Sequence, residues 1–382
     1  MSRGTVVDLF CGAGGASLGF HQAGFEIRGA VDIDEDALET YERNLTYKGI
    51  VDFEPLQADL EETTFDEIRE HFGLKKGEVN VICGCPPCQN FSSLRDTTPW
   101  PEDEPKDDLL RAFVERVREE KPDLVFFENV QGILSSGEGS YIKWFRNQME
   151  QITRQGDTGK EGGYGVSLKL VNAANYGVPQ KRKRTIGVCV YDADSDEITF
   201  RSPTHVENPD GDDERERWRW VRDAIVRDDL DDLSKGERQD DDPAHRARNH
   251  RQKTIDLMKV IPDNGGSWMD LRGTEHEDLI RKCHQNVDSG AGSAYGRMAW
   301  KEPAPTLTTR CTTPSCGRFT HPEANRSITP REAALLMTFP KEFELPDQIS
   351  AAERVVGNAV PPDLVEAMLH SPIIEREFPS DT

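Results

Sequence analysis

Residues 5–24, TVVDLFCGAGGASLGFHQAG, decide the fold of this chain. The apolar run at residues 5–10 predicts a strand, residues 11–15 form a glycine-rich turn, and apolar side chains recur at helical spacing from Leu18 to Ala23. A strand, a glycine turn and a helix in this order make the first unit of a doubly wound α/β domain, whose ligand is expected at the carboxyl end of the strand. The turn alone is a weak indication, because ordinary tight turns share its composition.

Carboxylates stand at the ends of three later apolar runs. Asp32 follows the strand predicted at residues 27–31, Asp59 lies in the strand predicted at residues 56–60, and Glu128 comes directly after the buried run at residues 124–127. Desolvation at the Glu128 position favours the neutral acid, which suits a group that must donate a proton or a hydrogen bond. Alternatively, Asp32 and Glu128 could only cap the next helix, a role for which Asp34 is better placed than Asp32, and Asp59 could be a solvated charge at a strand end.

Helix boundaries also follow from the sequence. Residues 36–45 are predicted to form a helix, and another is predicted to begin with Thr329 as its cap and Pro330 at its first position.

A proline-stiffened loop carries the candidate nucleophile. A β-branched run predicts a buried strand, and Pro86 and Pro87 then restrict the backbone so that Cys88 is presented in one direction. The spacing of Cys83, Cys85 and Cys88 lacks the fourth ligand of a zinc site, and the small number of cysteines disfavours disulfides. We expect Cys83 to pack as a small apolar residue of the strand.

A basic segment follows later in the chain. Gln180, Arg182 and Arg184 alternate along a stretch predicted to be extended, so their side chains are expected to share one face. Two guanidinium groups near a cysteine would favour its thiolate and could bind phosphate. The alternative is a basic patch on a solvent-exposed edge strand.

Five stretches, taken in chain order, resemble the motifs of the DNA (cytosine-5) methyltransferase family. They are residues 8–15 (DLFCGAGG), 87–92 (PCQNFS), 128–130 (ENV), 180–184 (QKRKR) and 355–362 (VVGNAVPP). The resemblance implies an α/β fold, with a doubly wound Rossmann-like methyltransferase sheet and a second, smaller target-recognition domain. It also implies that S-adenosylmethionine is the cofactor and that C5 of cytosine in a specific DNA sequence is methylated.

The family's site residues carry over motif by motif. In the family the cysteine thiolate adds to C6 of the target cytosine while the glutamate acts at N3. The catalytic residues implied are Cys88, Glu128, Arg182 and Arg184. The residues implied to contact the substrate are Gln89, Ser92, Asn129 and Gln180. The residues implied to bind the cofactor are Phe10, Gly12, Ala13, Gly14, Gly15, Asp32, Ile33, Asp59, Leu60, Pro87, Leu109, Asn358 and Ala359.

Within that set the resemblance assigns separate contacts. Asp32 would bind the ribose hydroxyls, with Ile33 against the adenine face. Asp59 would accept from the exocyclic amine of adenine, and Leu60 would pack on the ring. Asn358 would close the pocket for the methionine moiety.

The chain departs from the family pattern in two places. Residues 93–108 contain three prolines and are interpreted as a segment that closes over DNA, but Lys106-Asp107-Asp108 stands where relatives tend to have Arg or Asn. Leu336-Met337-Thr338 replaces the Leu-Gln that relatives usually have at this point, so one amide contact is missing.

The charge balance is unusual for a protein of this kind. The chain has 382 residues, with 47 Lys and Arg against 70 Asp and Glu, and a net charge of −23. DNA-binding proteins are usually basic, because neutralising phosphates supplies much of their affinity. Either nucleic acid is not the substrate, or the acidic surface is adapted to concentrated salt, where the Debye length is about 3 Å at 1 M. We interpret the composition as halophilic.

Domain organisation and partners complete the prediction. We predict a catalytic domain at residues 1–191, a target-recognition domain at residues 192–318 and a C-terminal segment at residues 319–382 that returns to the catalytic domain. The absence of a long apolar run or signal peptide predicts a soluble cytoplasmic protein with no membrane contact. The expected partners are double-stranded DNA and a cognate restriction endonuclease; we expect a monomer that binds no metal. Two alternatives are a tRNA cytosine-5 methyltransferase and a catalytically silent S-adenosylmethionine-binding DNA module.

Overall fold

The computed structural model describes residues 2–87, 108–154, 162–284 and 292–380. Cys88, Gln89 and Ser92 therefore lie outside the described residues, as does most of the segment predicted to close over DNA. The chain forms two compact units. The first comprises Met1–Asn172, Lys183–Pro203 and Val360–Thr382, and the second comprises Ala173–Arg182 and Thr204–Ala359. The three functional segments expected from the sequence stay a prediction.

Short strands and helices alternate along the described residues. The strands are β1 (Thr5–Leu9), β2 (Glu26–Asp32), β3 (Leu56–Gln57), β4 (Val81–Gly84), β5 (Leu124–Val130), β6 (Tyr164–Asn172), β7 (Gln180–Lys181), β8 (Lys183–Tyr191), β9 (His205–Val206), β10 (Glu216–Arg217) and β11 (Ala304–Pro305). The α-helices are α1 (Gly15–Gln22), α2 (Glu35–Tyr41), α3 (Phe65–Phe72), α4 (Asp108–Glu120), α5 (Ser140–Glu150), α6 (Val221–Ile225), α7 (Gln252–Val260), α8 (Pro330–Leu336), α9 (Ile349–Asn358), α10 (Pro362–Leu369) and α11 (Pro372–Glu377). Among these helices, none is both long enough and apolar enough to cross a membrane.

The first unit is built on a seven-stranded sheet with the order β3-β2-β1-β4-β5-β8-β6. The pairs from β3 to β5 are parallel, whereas β8 runs antiparallel to both β5 and β6. The chain therefore has the doubly wound α/β fold that the first strand, turn and helix predicted. The parallel strands β1, β2, β4 and β5 bring their carboxyl ends to one edge of the sheet, where such folds bind ligands.

Both faces of this sheet are covered by helices, as alternation along β5 shows. Phe126 packs against Phe20 of α1 with ring centroids 5.6 Å apart, while Phe127 stacks on Phe145 of α5 at 4.9 Å. On the α1 face, α10 comes so close that a Cβ atom on Gly19 would lie 2.6 Å from the carbonyl oxygen of Pro362. Glycine at this position is thus required by helix packing.

The predicted helix boundaries are partly confirmed. Asp34 caps α2 by accepting a hydrogen bond from the Ala37 backbone, as expected. The helix predicted to continue to Leu45 ends at Tyr41 and passes into a π-helical turn at Glu42–Thr46.

The strand predicted over residues 56–60 stops at Gln57, because the chain turns at Asp59. The Asp59 side chain accepts from the Glu61 N–H, and its carbonyl oxygen accepts from the N–H groups of Glu62 and Thr63. A residue that satisfies three downstream N–H groups bends the backbone away from the extended path.

The second unit is stabilised by a small core and by buried ion pairs. Leu257, Trp268 and Ile280 belong to one apolar cluster. Helix α8 begins with the predicted cap, in which Thr329 and Glu332 form a capping box and a proline occupies the first turn. Both terminal nitrogens of Arg326 lie 2.8 Å from the Glu332 carboxylate.

Candidate active site

The glycine turn after β1 has a strained, closely packed backbone. Phe10, Gly12 and Gly14 all have left-handed conformations, with φ angles of 63°, 52° and 89°. A non-glycine residue such as Phe10 seldom adopts this conformation, and such strain concentrates at functional sites. A Cβ on Gly14 would lie 2.8 Å from Leu45 and 3.0 Å from Tyr41, whereas one on Gly12 would meet nothing within 4 Å. The turn therefore rests on α2 beneath Gly14 and leaves open space at Gly12.

Asp32 ties the end of β2 to this turn. Its two carboxylate oxygens accept hydrogen bonds from the Gly12 N–H at 2.8 Å and the Asp34 N–H at 2.9 Å. Asp32 does not cap α2, since Asp34 does. Each carboxylate oxygen has more than one acceptor site, so these bonds are compatible with additional donors such as a diol.

Ile33 is an exposed apolar side chain beside that carboxylate. Its side chain is 63% exposed, and it is one of the few large hydrophobic residues on the surface of the described chain. An exposed apolar face next to a strand-end carboxylate fits a cofactor that joins a flat aromatic base to a ribose. The sites predicted at Gly12, Asp32 and Ile33 therefore meet at one strand edge and suit an adenosine group.

The predicted adenine contacts after β3 are placed differently. Asp59 is half-buried, and its side chain holds the local turn. Leu60 is buried in the apolar core together with Phe65 and Phe113, and its contact with the adenine ring stays a prediction. Phe10 is half-buried, and Ala13 and Gly15 are buried in the turn.

The end of β5 forms the second part of the site. Glu128 is buried, and its Oε1 lies 2.8 Å from Nε of Arg184 on the neighbouring strand β8. The antiparallel register that pairs Glu128 with Ile186 and Val130 with Arg184 places the two charged side chains side by side. An ion pair with one guanidinium nitrogen fixes the carboxylate close to where the candidate nucleophile loop begins.

Asn129 fastens this strand end to the cysteine loop. Its amide nitrogen donates to the carbonyl oxygen of Pro86 at 3.2 Å, and its amide oxygen accepts from the Val130 N–H at 2.8 Å. Both of these hydrogen bonds join Asn129 to backbone atoms, so they hold the loop and the strand end together. The exposed ring of Pro87 and the half-buried Leu109 lie on either side of the undescribed segment in sequence.

The continuous strand predicted over residues 180–184 is wrong. β7 ends at Lys181 and β8 begins at Lys183, because the Arg182 N–H turns back to the carbonyl oxygen of Gln180 at 2.9 Å. Gln180 and Arg182 belong to the second unit, whereas Arg184 belongs to the first. The alternation of residue types therefore does not place three side chains on the face of a single strand.

Arg182 is buried among backbone carbonyl groups of its own unit. Its terminal nitrogens donate to the carbonyl oxygens of Leu307 and Ala359, each at 2.9 Å, and to that of Gly357 at 3.4 Å. Gly357 itself approaches the Thr308 backbone so closely that a Cβ would lie 2.3 Å away. These contacts make Arg182 a brace between two segments of the second unit.

Gln180 has a comparable position. Its amide oxygen accepts from the Leu307 N–H at 2.9 Å, and its amide nitrogen donates to Sδ of Met337 at 3.0 Å. Met337, which replaces the glutamine usual in relatives, thus still serves as an acceptor. Asn358 is exposed at the end of α9, and Ala359 accepts from Arg182.

Sequence reasoning missed three polar residues beneath the glycine turn: Asp8, Ser17 and Tyr41. All three are buried, and the Ser17 hydroxyl donates to Asp8 Oδ2 at 2.7 Å. Burial raises the pKa of Asp8 to about 7, and the hydrogen bond from Ser17 opposes that shift. The one signal in the sequence was a charged residue inside an otherwise apolar strand.

Two buried cysteines, Cys11 and Cys83, are poor candidates for the nucleophile, because burial raises the pKa of each thiol. Cys83 is buried in β4 as expected, and burial raises its pKa well above the usual range. Six described cysteines have free thiols, among them Cys11 and Cys85. Within the described residues no group of three or more His, Cys, Asp or Glu side chains is arranged to hold a metal ion.

Together, the fold and the strand-end residues define an α/β enzyme that binds a nucleoside-containing cofactor at the carboxyl edge of its sheet. The C-5 cytosine-specific DNA methylase family matches residues 4–373. The chain therefore belongs to this family: it is a DNA methyltransferase whose cofactor is S-adenosylmethionine and which methylates cytosine at C5.

Individual relatives agree with this assignment. The Type II methylase M.HgiDII of Herpetosiphon aurantiacus is 33% identical, with 94% of this chain and 92% of that protein aligned. The Type II methyltransferase M1.HphI of Haemophilus parahaemolyticus is 32% identical over 95% of this chain and 85% of its own length.

Solved structures share the fold. A protein described as a DNA modification methyltransferase encoded within an E. coli prophage is 26% identical, with a TM-score of 0.61 and coverage of 96% of this chain and 97% of that one. A variant of DNMT2 from Spodoptera frugiperda is 15% identical, with a TM-score of 0.57 and coverage of 96% and 98%. The second similarity concerns the fold alone.

Proposed function

We propose that this chain methylates cytosine within a specific sequence of double-stranded DNA through a covalent bond between Cys88 and C6 of the base. The observation that carries the proposal is the end of β5. Glu128 is buried there against Arg184, and the next residue, Asn129, is hydrogen bonded to Pro86, two positions before Cys88. A carboxyl group, a guanidinium and the root of the nucleophile loop thus converge at one strand end.

The chemistry requires a nucleophile because C5 of neutral cytosine reacts poorly with electrophiles. The target base is turned out of the duplex, and unstacking costs a few kcal/mol that contacts in the pocket offset. The Cys88 thiolate adds to C6 while Glu128 hydrogen bonds to or protonates N3, and the electron pair of the C5–C6 double bond moves to C5. S-adenosylmethionine, when bound, supplies the methyl group on a sulfonium.

Release of the enzyme reverses the addition. After C5 has been methylated, a base removes the proton from C5, the C5–C6 double bond re-forms and the Cys88 sulfur leaves as a thiolate. Arg184 holds the Glu128 carboxyl in position during both steps. Arg182 is assigned to the catalytic set by its place in the family motif.

For the cofactor we assign the first-unit residues that line the turn and the neighbouring strand ends. Gly12 and Gly14 leave the backbone open to the ligand, Asp32 accepts from the ribose and Ile33 covers the adenine. Asp59 and Leu60 contribute after the end of β3. Phe10, Ala13, Gly15, Pro87 and Leu109 complete the first-unit set, and Asn358 and Ala359 stay predicted contacts carried over from the family motif.

The second unit is proposed to recognise the DNA target. Residues 192–318 are assigned as the recognition domain and residues 319–382 as the segment returning to the catalytic domain. Gln89, Ser92, Asn129 and Gln180 are assigned to the substrate side, with Asn129 and Gln180 acting through the backbone that they hold.

The cellular setting is proposed from the names of the relatives and from the charge of the chain. The Type II names of the relatives support a restriction–modification role with a cognate endonuclease as partner. We further propose a cytoplasmic monomer with a halophilic surface, supported by the net charge of −23. Circular dichroism across a salt series tests the last point: loss of structure in molar salt, with full folding in dilute buffer, would contradict it.

The covalent step is tested with a duplex containing 5-fluorocytosine, which traps the adduct because the fluorine cannot leave as a proton does. Unchanged protein should give a denaturant-resistant complex in the presence of S-adenosylmethionine, and Cys88→Ser should give none while still binding the cofactor. Cys85→Ser is the matched control, because it alters a thiol on the same loop without touching the proposed nucleophile. An adduct in Cys88→Ser, or methylation of tRNA but not of duplex DNA, would refute the proposal.

A further inference from the structure

Asp8, Ser17 and Tyr41 form a buried polar cluster, and we refer to it as the turn-support cluster. Tyr41 in α2 donates its hydroxyl proton to Ser17 Oγ at 3.2 Å, and Ser17 in α1 donates to Asp8 in β1 at 2.7 Å. The three side chains are completely buried. One hydrogen-bonded chain therefore connects a strand with two helices underneath the glycine turn.

Burying the Asp8 carboxylate costs free energy that a purely structural residue would not need to cost. Asp8 is a carboxylate with no basic side chain among its neighbours, and the nearby Asp32 adds repulsion. An apolar residue at this position would avoid the cost of burying a charge. A carboxyl group is useful here only if something needs an acceptor.

That acceptor serves the start of α1. The residue before the helix is Gly14, which provides no side-chain cap. Asp8 approaches this helix start from the neighbouring strand: the Ser17 hydroxyl donates to it, and the nearby Ser17 backbone N–H also favours its ionised form by lowering its pKa. A carboxylate near a helix N-terminus is favoured by the helix dipole and satisfies N–H groups that would otherwise lack partners.

Tyr41 also touches the turn directly. Its ring lies so close to Gly14 that an added Cβ would be 3.0 Å from Cδ2. The same side chain thus supports the backbone of the turn with its ring and steadies the start of α1 through its hydroxyl group. Its neighbour in sequence Tyr47 is 70% exposed and has no part in the cluster.

We propose that Tyr41, acting through Ser17 and Asp8, is a positioning residue that holds the glycine turn in the conformation that binds S-adenosylmethionine. The inference rests on the proposed placement of the cofactor at residues 10–15. Nothing in the reaction requires Tyr41 to touch the cofactor. Its removal should weaken cofactor binding and leave DNA binding and chemistry at saturating cofactor unchanged.

The cluster also predicts how cofactor affinity depends on pH. The groups that face Asp8 are Ser17 from α1, Cys83 from β4, and Cys11 and Asp32 at the strand ends, with Tyr41 behind Ser17. Ionised Asp8 is the better acceptor for both donors of Ser17. Affinity should therefore fall as pH decreases through about 7. In Ser17→Ala the midpoint should move to higher pH, because a bond that stabilises the carboxylate is lost.

The experiment compares Tyr41→Phe with Tyr47→Phe, each of which removes one hydroxyl group and keeps the ring. Calorimetric titration of the full chain with S-adenosylmethionine should show a Kd increased about three- to tenfold for Tyr41→Phe, the effect of one buried hydrogen bond. Tyr47→Phe should match the unchanged protein. KM for DNA and kcat at saturating cofactor should not change in either variant.

Two results would overturn the inference. One is a Tyr41→Phe variant that loses thermal stability but keeps its Kd for S-adenosylmethionine. The other is a pH midpoint of cofactor affinity that does not move in Ser17→Ala. A third result would refute the proposed cofactor site on which the inference rests. It is a Kd for S-adenosylmethionine that does not change in Ile33→Asp, because the cofactor would then bind away from the turn.

Discussion

The two units differ in one kind of buried charge. In the second unit, buried carboxylates face cations: Glu332 lies against Arg326, and Asp242 accepts from both Arg331 and Lys341. The first unit has such pairs too, between Glu120 and Arg69 and between Glu128 and Arg184, but its buried Asp8 accepts from the neutral hydroxyl of Ser17. A compensated pair fixes an architecture and stays ionised, whereas an acid held by neutral donors can change its protonation state near neutral pH. The compensated pairs therefore stabilise the fold, whereas Asp8 belongs to the part of the molecule proposed to support cofactor binding.

The largest effect is expected from breaking a compensated pair. Glu332→Gln leaves the Arg326 guanidinium buried without a counter-ion, and we expect it to reduce the free energy of unfolding by about 3–5 kcal/mol. Urea denaturation followed by tryptophan fluorescence measures this, since Trp268 is buried in the same unit. Glu302→Gln changes an exposed glutamate and is the control. Equal free energies of unfolding for the two variants would contradict the stabilising role of the pair between Glu332 and Arg326.

A smaller and different effect is expected from the paired charge of the first unit. Arg184→Met removes the guanidinium that contacts Glu128, and we expect kcat to fall by about a hundredfold, the cost of one positioned donor in an active site. We expect little loss of thermal stability. Single-turnover methylation of duplex DNA and thermal melts test this beside Lys183→Met, which alters an exposed neighbour. A variant that melts at a lower temperature but keeps its rate of methylation would show that Arg184 has only a structural role.

The smallest effect concerns the pH dependence of stability. Burial acts to raise the pKa of Glu332, but the charge and the hydrogen bonds of Arg326, together with other nearby charges, lower it to about 2. An acid with a lowered folded pKa stabilises the protein above its unfolded pKa, so this contribution is lost as pH falls from about 4.3 to about 2. Asp8 behaves in the opposite sense: because its pKa is raised to about 7, stability declines as pH rises from 3.8 to about 7.

Asp8→Asn should therefore remove the decline on the neutral side and leave the acid limb unchanged. Denaturation midpoints measured from pH 2 to pH 8 distinguish the two groups. Asp52→Asn provides the control, because Asp52 is an exposed aspartate of the first unit. If Asp8→Asn retained the decline between pH 4 and pH 7, another buried acid would have to be responsible.

The sequence predicted the class of fold and the order of the motifs, because hydrophobic periodicity and glycine or proline positions act locally. Asp34 and Thr329 were predicted correctly as caps for the same reason. The paths of Gln180 and Arg182 could not be predicted, since their partners Leu307, Gly357 and Ala359 are more than a hundred residues away in the chain.

Burial could not be predicted from residue type alone. Leu60 lies in the apolar core, and its contact with an adenine ring stays a prediction. Asp8 was overlooked because a single acid in an apolar strand has no periodic signature. Which side chains a strand-end residue meets depends on helices that pack from elsewhere in the sequence.

The contacts of Arg3 with the last helix bring the two ends of the chain close together. Arg3 bonds to the carbonyl oxygen of Phe378 and pairs with Glu375, and α10 seats on α1. The first unit thus brings residues near both ends of the chain together, and residues 173–182 and 204–359 leave it to form the second unit. Joining the two ends by a short linker and opening the chain at an exposed turn of the second unit should give a circular permutant that still folds. Nascent chains, conversely, cannot pack α10 onto α1 until residue 369 has been synthesised.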